Sequence, residues 1–430
     1  MGQLLPRIRA FLLNSKFARG VLVLTGGAAL GQLLVVVTSP LLTRIYTPDD
    51  FGVLAVYSSI LGILTTLAAF RYELALPLPE DDDEALNLLA LCLCLTVALA
   101  GVVAVCVYGF GDSLASLLQA PTLRPYLWLI PIGLLGAGFY QTFNYWGVRQ
   151  KAFSEIARTK VSQSVGLVVA QVGLGLLQVK PLGLLIGQVV GQTSGTLTLA
   201  KLTDTSDWRS RVSFSGMLSG LKRFRKFPFF AAPTSVMNAV GSNAPSLLLT
   251  GLYSVEVAGY YLLANRIVNL PLIMIGSSIS TTFHSEASAN RKDPQKLKRL
   301  FWNLTKTLSA IAVVVAIVVA LLAESLFTLV FGQAWTEAGA YASALAAMLA
   351  ARFVVNPLSV TLSVVEKQEL SVIVQGLILI GSLASLALAH RFGLTPLNAM
   401  YAFSLTMFAV YVVIFFILKY ALESFVAHGS

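Results

Sequence analysis

Long apolar runs alternate with short polar connections along the whole chain. A run of about 20 mostly apolar residues is long enough to cross a bilayer as an α-helix. We predict twelve such spans, near residues 19–43, 51–76, 85–108, 123–148, 157–179, 181–200, 227–252, 257–283, 301–331, 338–365, 370–390 and 396–420. The pattern therefore predicts an all-α integral membrane protein with twelve transmembrane helices.

One stretch between the first and second spans recurs half a chain later. Residues 39–52 read SPLLTRIYTPDDFG, and residues 246–259, which lie 207 positions further on, read SLLLTGLYSVEVAG. Six of the fourteen aligned positions are identical, and they include a Thr, a Tyr and a Gly as well as apolar residues. Because chance matches between apolar runs would not preserve these residues, the repeat favours internal duplication, which is common in transporters.

The repeat divides the predicted spans into two equal sets. We predict an N-terminal six-helix lobe over residues 1–201, a linker over 202–226 and a C-terminal six-helix lobe over 227–430. Within the linker, apolar residues recur at helical spacing among Arg and Lys residues. This pattern is typical of a basic helix lying on the inner leaflet, but a solvated linker with topology charges would give it too.

Composition and charge support a membrane location and set the orientation. Apolar residues make up 56% of the chain and charged residues only 12%, with a net charge of +10. Alternate connections hold 23 and 4 of the Lys and Arg residues, and the richer set is expected on the cytoplasmic side. We therefore predict a multi-pass membrane protein with both termini cytoplasmic, and no nucleic-acid partner.

Polar side chains within the spans are the candidate site residues, because a charge at bilayer depth costs at least about 2.5 kcal/mol unless it faces water or a partner. Arg266 and Arg352 each head a polar stripe. Two arginines without a nearby Asp favour anions such as a diphosphate, although each Arg could instead clamp backbone carbonyls. The predicted substrate cavity contains Arg266, Arg352, Asn269, Asn356, Asn238, Gln32, Gln141 and Asn144.

Three carboxylates near span ends are candidates for ion coupling. They are Glu73, Glu286 and Glu366, which could carry H⁺ or Na⁺, and an ion pair between Arg71 and Glu73 is the other interpretation. The chain has no phosphate-binding loop, and its three His residues are widely scattered. We expect no catalytic residue, no metal site and no cofactor other than a coupling ion, so the sequence does not predict an enzyme.

Three blocks carry a family resemblance: SPLLTRIYTPDDFGVLAVYSSI with RYELALPLPEDDDEA, then NYWGVRQKAFSEIARTKVSQS, and FPFFAAPTSVMNAVGSNAPSLLLTGLYSVEVAGYYLLANRIVNLP. They resemble the Wzx-like polysaccharide biosynthesis flippases of the multidrug/oligosaccharidyl-lipid/polysaccharide exporter superfamily. The resemblance implies two six-helix lobes in a V around a central cavity that opens alternately to the two sides. Arg266 lies in the matched stretch LANRIVNLP, whereas Arg352 lies outside the matched blocks.

The resemblance also implies a substrate and partners. The cargo would be an undecaprenyl-diphosphate-linked oligosaccharide, moved to the outer leaflet for O-antigen, capsule or exopolysaccharide assembly. The resemblance places the protein in the bacterial cytoplasmic (inner) membrane, where membrane lipids would surround it. A polysaccharide polymerase and glycosyltransferases would act with it. The alternative is an ion-coupled small-molecule or drug antiporter of the same fold, for which a carboxylate is expected in the first span. Thr25, Gln32 and Ser39 occur there instead.

Overall fold

The computed structural model describes residues 16–203, 211–291 and 293–428, with side chains from residue 26. The basic segment before Lys16 and residues 204–210 of the predicted linker lie outside this description. In the described ranges all regular structure is helical. The α-helices are α1 Lys16–Ile45, α2 Pro48–Thr66, α3 Asp82–Leu117, α4 Leu129–Arg149, α5 Phe153–Leu176, α6 Leu182–Thr193, α7 Thr196–Ala200, α8 Phe214–Arg223, α9 Ala232–Leu252, α10 Val255–Ala289, α11 Pro294–Phe331, α12 Thr336–Leu358, α13 Thr361–Val364, α14 Glu369–Arg391 and α15 Pro396–His428.

Seven helices in the described part of the chain are long and apolar enough to cross a membrane. They run through Gly26–Ile45, Asp82–Leu117, Val255–Ala289, Pro294–Phe331, Gln333–Val364, Glu369–Arg391 and Pro396–Ala427. The other predicted spans also form helices, which are shorter or carry more polar residues. The prediction of an all-α, multi-span membrane protein is confirmed.

The chain forms two compact units. The first contains the residues up to Ile45, Ile60–Ala115 and Pro121–Val236, and the second contains Tyr46–Ser59, Ser116–Ala120 and the residues from Met237 onward. In the first unit, α5 packs between α1 and α6. In the second unit, α12 packs against α10, α11 and α15, so residues of α12 lie at the centre of that unit.

Glycines of α6 allow the close packing of α6 on α5. A Cβ on Gly187 would lie 2.3 Å from Gln171 Cγ, and one on Gly191 would lie 2.7 Å from Leu167 Cβ. In the sequence, Gly recurs at every fourth position from Gly183 to Gly195, which predicts one smooth ridge along a single helix face. The helix instead ends at Thr193, and Gly195 has a φ of 88° and begins the next short helix. The predicted close packing is therefore confirmed for Gly187 and Gly191, and also for Gly195, where a Cβ would lie 2.5 Å from Thr159 Cβ on α5. The prediction of one continuous helix through all these glycines is wrong.

The two copies of the sequence repeat contact each other within the second unit. A Cβ on Gly52 would lie 1.9 Å from the Val255 carbonyl oxygen, and one on Gly259 would lie 2.0 Å from the Pro48 carbonyl oxygen. Pro48 and Val255 are themselves equivalent positions of the repeat. The contact is therefore reciprocal: each glycine admits the first turn of the other copy's helix, and any side chain would separate them.

The polar positions of the repeat cap the same two helices. Thr47 Oγ1 accepts a hydrogen bond from Asp50 N at 3.3 Å, and Ser254 Oγ accepts one from Val257 N at 3.2 Å. Each bond satisfies a backbone donor in the first helical turn. Beside the crossing, the ring of Phe51 packs edge-on against Trp335 with their centroids 4.8 Å apart. The recurrence of Thr or Ser and of Gly thus has a direct structural reason.

We predict that Gly52→Ala and Gly259→Ala each destabilise the protein by about 1–3 kcal/mol, because the added methyl group overlaps a backbone carbonyl and the helices must separate. Gly101→Ala in α3 is the matched control, because a Cβ there has no atom within 4 Å. Thermal unfolding of the purified variants in detergent measures the difference. If Gly52→Ala and Gly259→Ala both unfolded at the wild-type temperature, the close contact between the two helices would be contradicted.

Candidate functional site

Polar side chains from five helices of the second unit line a cavity of about 280 Å³. Arg352 and Asn356 come from α12, and Asn238 comes from α9. The other polar lining residues are Ser242, Tyr261, Gln375, Ser382 and Tyr411. Arg352 occupies this central position because α12 packs inside the unit, as its many buried alanines permit.

A second cavity of about 180 Å³ adjoins the first through two shared residues, Arg352 and Asn356. Asn269, Ser277 and Ser280 of α10 also line it. The structure therefore brings four of the predicted substrate-cavity residues together: Arg352, Asn356, Asn238 and Asn269. Helical spacing predicts a polar stripe on α10 that runs from Arg266 through Asn269, Ser277 and Ser280 to His284. Only its middle part faces a cavity, because Arg266 and His284 are not among the residues that line either one.

Arg352 is the only charged side chain among the residues that line the two cavities. The other polar groups are neutral amides, hydroxyls and phenols. Gln375 Oε1 is buried and has no hydrogen-bond partner in the described part of the chain. Such a surface can offer charge-assisted hydrogen bonds to one anionic group and neutral hydrogen bonds to several hydroxyl groups.

Arg266 lies on α10 one turn before Asn269. Its Nη1 is buried and has no hydrogen-bond partner among the described residues. An unpaired buried guanidinium nitrogen is costly, so this position calls for a ligand or water to bond it. Arg266 thus remains a separate candidate, not a member of the cluster around Arg352.

A second polar cluster lies in the first unit around Glu73, whose side chain is buried. Glu73 Oε1 accepts a hydrogen bond from Gln141 Nε2 at 2.7 Å and is 3.3 Å from Arg71 Nη1. The expected Arg71–Glu73 ion pair is confirmed. Gln141 was predicted as a cavity residue, but in the structure its amide group donates to Glu73. Asn144, one turn further along α4, has a buried Oδ1 without a partner in the described ranges.

The Glu73 cluster is incompletely bonded and follows a strained stretch of backbone. Glu73 Oε2 and Arg71 Nε are buried and lack partners within the described chain. Phe70 and Arg71 have φ angles of 49° and 66°, which non-glycine residues adopt at an energetic cost. A buried carboxylate with a free oxygen beside strained backbone is a common feature of functional sites.

The remaining predicted residues lie apart from both clusters. Glu366 is 69% exposed and pairs with Arg291 at 2.8 Å. The Arg291 guanidinium lowers the pKa of the Glu366 carboxyl below its usual value. Glu286 is half-buried on α10, and Gln32 is exposed on α1. In the described ranges, no group of three or more His, Cys, Asp or Glu residues is arranged to hold a metal ion.

Ser242 lies four residues after Asn238, so sequence spacing places both on one polar helix face. Sequence reasoning missed four other polar residues of the larger cavity: Tyr261, Gln375, Ser382 and Tyr411. A signal existed for two of them. Gln375 and Ser382 are seven residues apart in one predicted span, which places them on one helix face two turns apart. The two tyrosines gave no signal, because aromatic residues are common in transmembrane spans.

The chain is similar to known proteins in sequence and in fold. The model of a family described as "Polysaccharide biosynthesis protein" matches residues 41–340. The succinoglycan biosynthesis transport protein ExoT of Rhizobium meliloti (strain 1021) is 27% identical over 250 residues, which are 56% of this chain and 48% of that protein. The teichuronic acid biosynthesis protein TuaB of Bacillus subtilis (strain 168) is 24% identical over 210 residues, which are 48% of this chain and 42% of that protein. The matches thus span about half the length of these relatives.

Two solved structures share the fold at low sequence identity. An inward-facing multidrug resistance transporter of the MATE family gives a TM-score of 0.70 with 14% identity, covering 92% of this chain and 95% of its own. The lipid II flippase MurJ in an inward closed conformation gives 0.71 with 14% identity, covering 95% and 90%. The fold is therefore that of MATE transporters and MurJ. The family model over residues 41–340 confirms the predicted resemblance to polysaccharide biosynthesis proteins.

We predict that Arg71→Ala destabilises the protein by about 3 kcal/mol, because it leaves the buried Glu73 carboxylate without its cation. Combining Arg71→Ala with Glu73→Gln should recover much of that loss, since no buried charge then remains. Arg124→Ala is the control, because its pair with Asp112 is exposed and should contribute less than about 1 kcal/mol. Equal melting of the Arg71→Ala and Arg124→Ala variants would show that Glu73 does not depend on Arg71.

Proposed function

The chain belongs to the polysaccharide biosynthesis protein family, a family of membrane transporters and not of enzymes, and from this premise we propose a specific cargo. The protein moves an oligosaccharide linked to undecaprenyl diphosphate from the cytoplasmic to the outer leaflet by alternating access. ExoT is a succinoglycan biosynthesis transport protein and TuaB is a teichuronic acid biosynthesis protein, and their similarity to this chain supports a polysaccharide precursor as cargo.

The observation that carries the proposal is the pair of joined cavities whose only charged lining residue is Arg352. A diphosphate loses much hydration energy when it leaves water, and a guanidinium offsets part of that loss through charge-assisted hydrogen bonds. Asn238, Asn269 and Asn356 offer neutral hydrogen bonds to sugar hydroxyls. These bonds exchange readily with water, which helps release, while the lipid tail remains in the bilayer.

The number of membrane spans and their division into lobes are part of the same proposal. We propose twelve spans in two six-helix lobes, 1–201 and 227–430, joined by the linker 202–226. The reciprocal contact of Gly52 and Gly259 supports a duplicated origin, since equivalent residues meet equivalent residues. A polymerase and glycosyltransferases of the same polysaccharide would be its partners.

Among the three predicted carboxylates, Glu73 is the best candidate for ion coupling. It is buried, and one of its oxygens has no partner in the described chain. A proton or Na⁺ on that oxygen would change its attraction to Arg71 and its hydrogen bond to Gln141. Glu366 is better explained as an exposed partner of Arg291, and Glu286 stays a prediction.

We predict that Arg352→Gln abolishes or strongly reduces surface polysaccharide in a strain that depends on this gene, because the loss of charge-assisted bonds should weaken head-group binding roughly tenfold or more. Arg352→Lys should restore part of the polymer. Arg391→Gln is the control, since Arg391 is exposed at the end of α14. Each variant is compared with wild type in the deleted strain at matched protein level.

Two other results would overturn parts of this proposal. If deletion leaves the polymer intact but lowers resistance to cationic drugs, the protein is a drug antiporter and the cargo is wrong. If deletion abolishes the polymer while Arg352→Gln restores it fully, the cargo can stand but the cavity around Arg352 does not bind it.

We further predict that Glu73→Gln lowers polymer export and removes its dependence on the ion gradient, whereas Glu366→Gln leaves export unchanged. The pKa of Glu366 is lowered, so this group stays ionised at neutral pH and gives up its charge only at a pH below its usual range. A group that stays ionised at neutral pH is a poor proton carrier, so Glu366→Gln should leave the ion dependence of export intact. The measurement is polymer export with and without a protonophore or Na⁺, and an effect at Glu366 but not at Glu73 would reverse the assignment.

A further inference from the structure

The linker contains a short helix, α8, with three distinct faces. Gly216, Gly220 and Arg223 lie on one side of α8, and Phe214, Leu218 and Leu221 lie on a second. Ser215, Ser219 and Lys222 occupy the third, at the 100° spacing of an α-helix. Each face has a different environment in the structure.

The first face is fixed to the first unit by hydrogen bonds and ion pairs. Asn87 accepts a hydrogen bond from Ser213 N and donates one to the Arg211 carbonyl oxygen, both at 2.9 Å. The hydroxyl of Tyr72 donates to the Leu221 carbonyl oxygen at 3.1 Å. Two arginines at the ends of this segment bind the acidic stretch EDDDE, residues 80–84. Arg211 pairs with Asp83, and Arg223 pairs with Glu84. The orientation of α8 about its own axis is therefore set.

The second face is apolar and remains uncovered within the first unit. Phe214 is 79% exposed, and Leu218 and Leu221 are also exposed. Phe229 and Phe230, in the π-helical turn Phe227–Ala231 that follows, are exposed as well. An isolated exposed Leu needs no explanation, but five large apolar side chains in one short segment indicate a binding surface.

The depth of α8 follows from its partners. Asp83, Glu84 and Asn87 lie in the first turns of α3, whose body is apolar enough to cross a membrane. Asp82, which begins α3, is 2.7 Å from Arg149 at the end of α4. Because α8 is bonded to the charged end of a membrane helix, it lies at the level where the bilayer meets water.

The positive charge of residues 211–226 indicates what covers the apolar face of α8. Residues 211–226 contain five Lys or Arg residues and no Asp or Glu. Arg211 and Arg223 are engaged with the acidic stretch, while Lys222, Arg225 and Lys226 are exposed and form no ion pair in the part of the chain that the structure describes. A basic rim beside an exposed apolar face complements anionic lipid head groups over an acyl region.

We propose that α8 and the turn after it bind the anionic lipid surface of the bilayer that the protein spans. Phe214, Leu218 and Leu221 enter the boundary between head groups and acyl chains, and Lys222, Arg225 and Lys226 contact lipid phosphates. Ser215 and Ser219 point to water, and Lys222 lies at the edge of their face nearest Leu218, from where it reaches the lipid phosphates. This proposal is independent of the cargo, because it rests only on the linker and the first unit.

The test places a nitroxide label at Leu218→Cys or at Ser219→Cys in the full-length protein in nanodiscs. Both positions are exposed, adjacent and free of the contacts that fix α8, so each serves as the control for the other. Cys94 and Cys106, which are exposed, are replaced by Ala, and the buried Cys92 is kept. Electron paramagnetic resonance then measures collision with oxygen, which partitions into lipid, and with a water-soluble nickel chelate.

We expect the label at Leu218 to be reached by oxygen and shielded from nickel, and the label at Ser219 to show the reverse. Equal access of nickel to both positions would overturn the proposal. Shielding of Leu218 from both reagents would also overturn it, because a protein partner or a second copy of the chain would then cover this face.

The lipid charge is tested in the same nanodiscs. In discs containing phosphatidylglycerol, neutralising Lys222, Arg225 and Lys226 to Gln should shift the Leu218 label toward water, since each charge near an anionic surface contributes roughly a fivefold preference. With the Lys and Arg residues intact, moving the protein from phosphatidylglycerol discs to discs of phosphatidylcholine alone should shift the Leu218 label toward water in the same way. Identical immersion in both lipids would contradict the anionic specificity.

Discussion

The cost of leaving a polar group unbonded in hydrocarbon governs where this chain can place charge. The two polar clusters meet that constraint in different ways. Glu73 is buried but bonded to Gln141 and Arg71, so most of its charge is offset inside the protein. Arg352 has no carboxylate among the cavity-lining residues around it and faces cavities lined with neutral polar groups. The first arrangement pairs a buried charge inside the protein, whereas the second leaves a cation with no carboxylate among the residues that line its cavities.

Packing of the helices provides the rigid frame on which these clusters are built. The reciprocal glycine contact brings equivalent first turns of α2 and α10 within van der Waals distance. Caps at Thr47 and Ser254 satisfy the backbone donors at the same two helix starts. Helix α10 also carries Asn269 and Tyr261 to the cavities, so the geometry of the crossing determines where these side chains lie.

The sequence predicted the helices and the stripe on α12 because both depend on periodicity within one segment. Arg352 and Asn356 are one turn apart, so their common face could be deduced before the structure was known. Partners between helices could not be deduced in this way. Gln141 has the same pattern in the sequence as a cavity residue, but which helix faces it depends on packing, and the structure pairs it with Glu73.

Other differences have equally local causes. The prediction of one glycine ridge from Gly183 to Gly195 required a continuous helix. The helix instead breaks at Ser194, and Gly195 has a left-handed backbone conformation. The carboxyl of Glu366 follows a polar stripe in sequence, but its residue has a φ of 58° beyond the end of α13 and its side chain is exposed. Periodicity does not reveal where a helix ends inside a polar stripe.

The central claim, that the cavity around Arg352 binds the anionic head group, is tested most directly by binding to the purified protein. Undecaprenyl diphosphate and undecaprenyl monophosphate serve as probes, with affinities measured for wild type, Arg352→Gln and Arg352→Lys in the same detergent. The account predicts that wild type prefers the diphosphate, that Arg352→Gln weakens its binding roughly tenfold or more, and that Arg352→Lys retains part of it. Unchanged diphosphate affinity in Arg352→Gln would contradict the account.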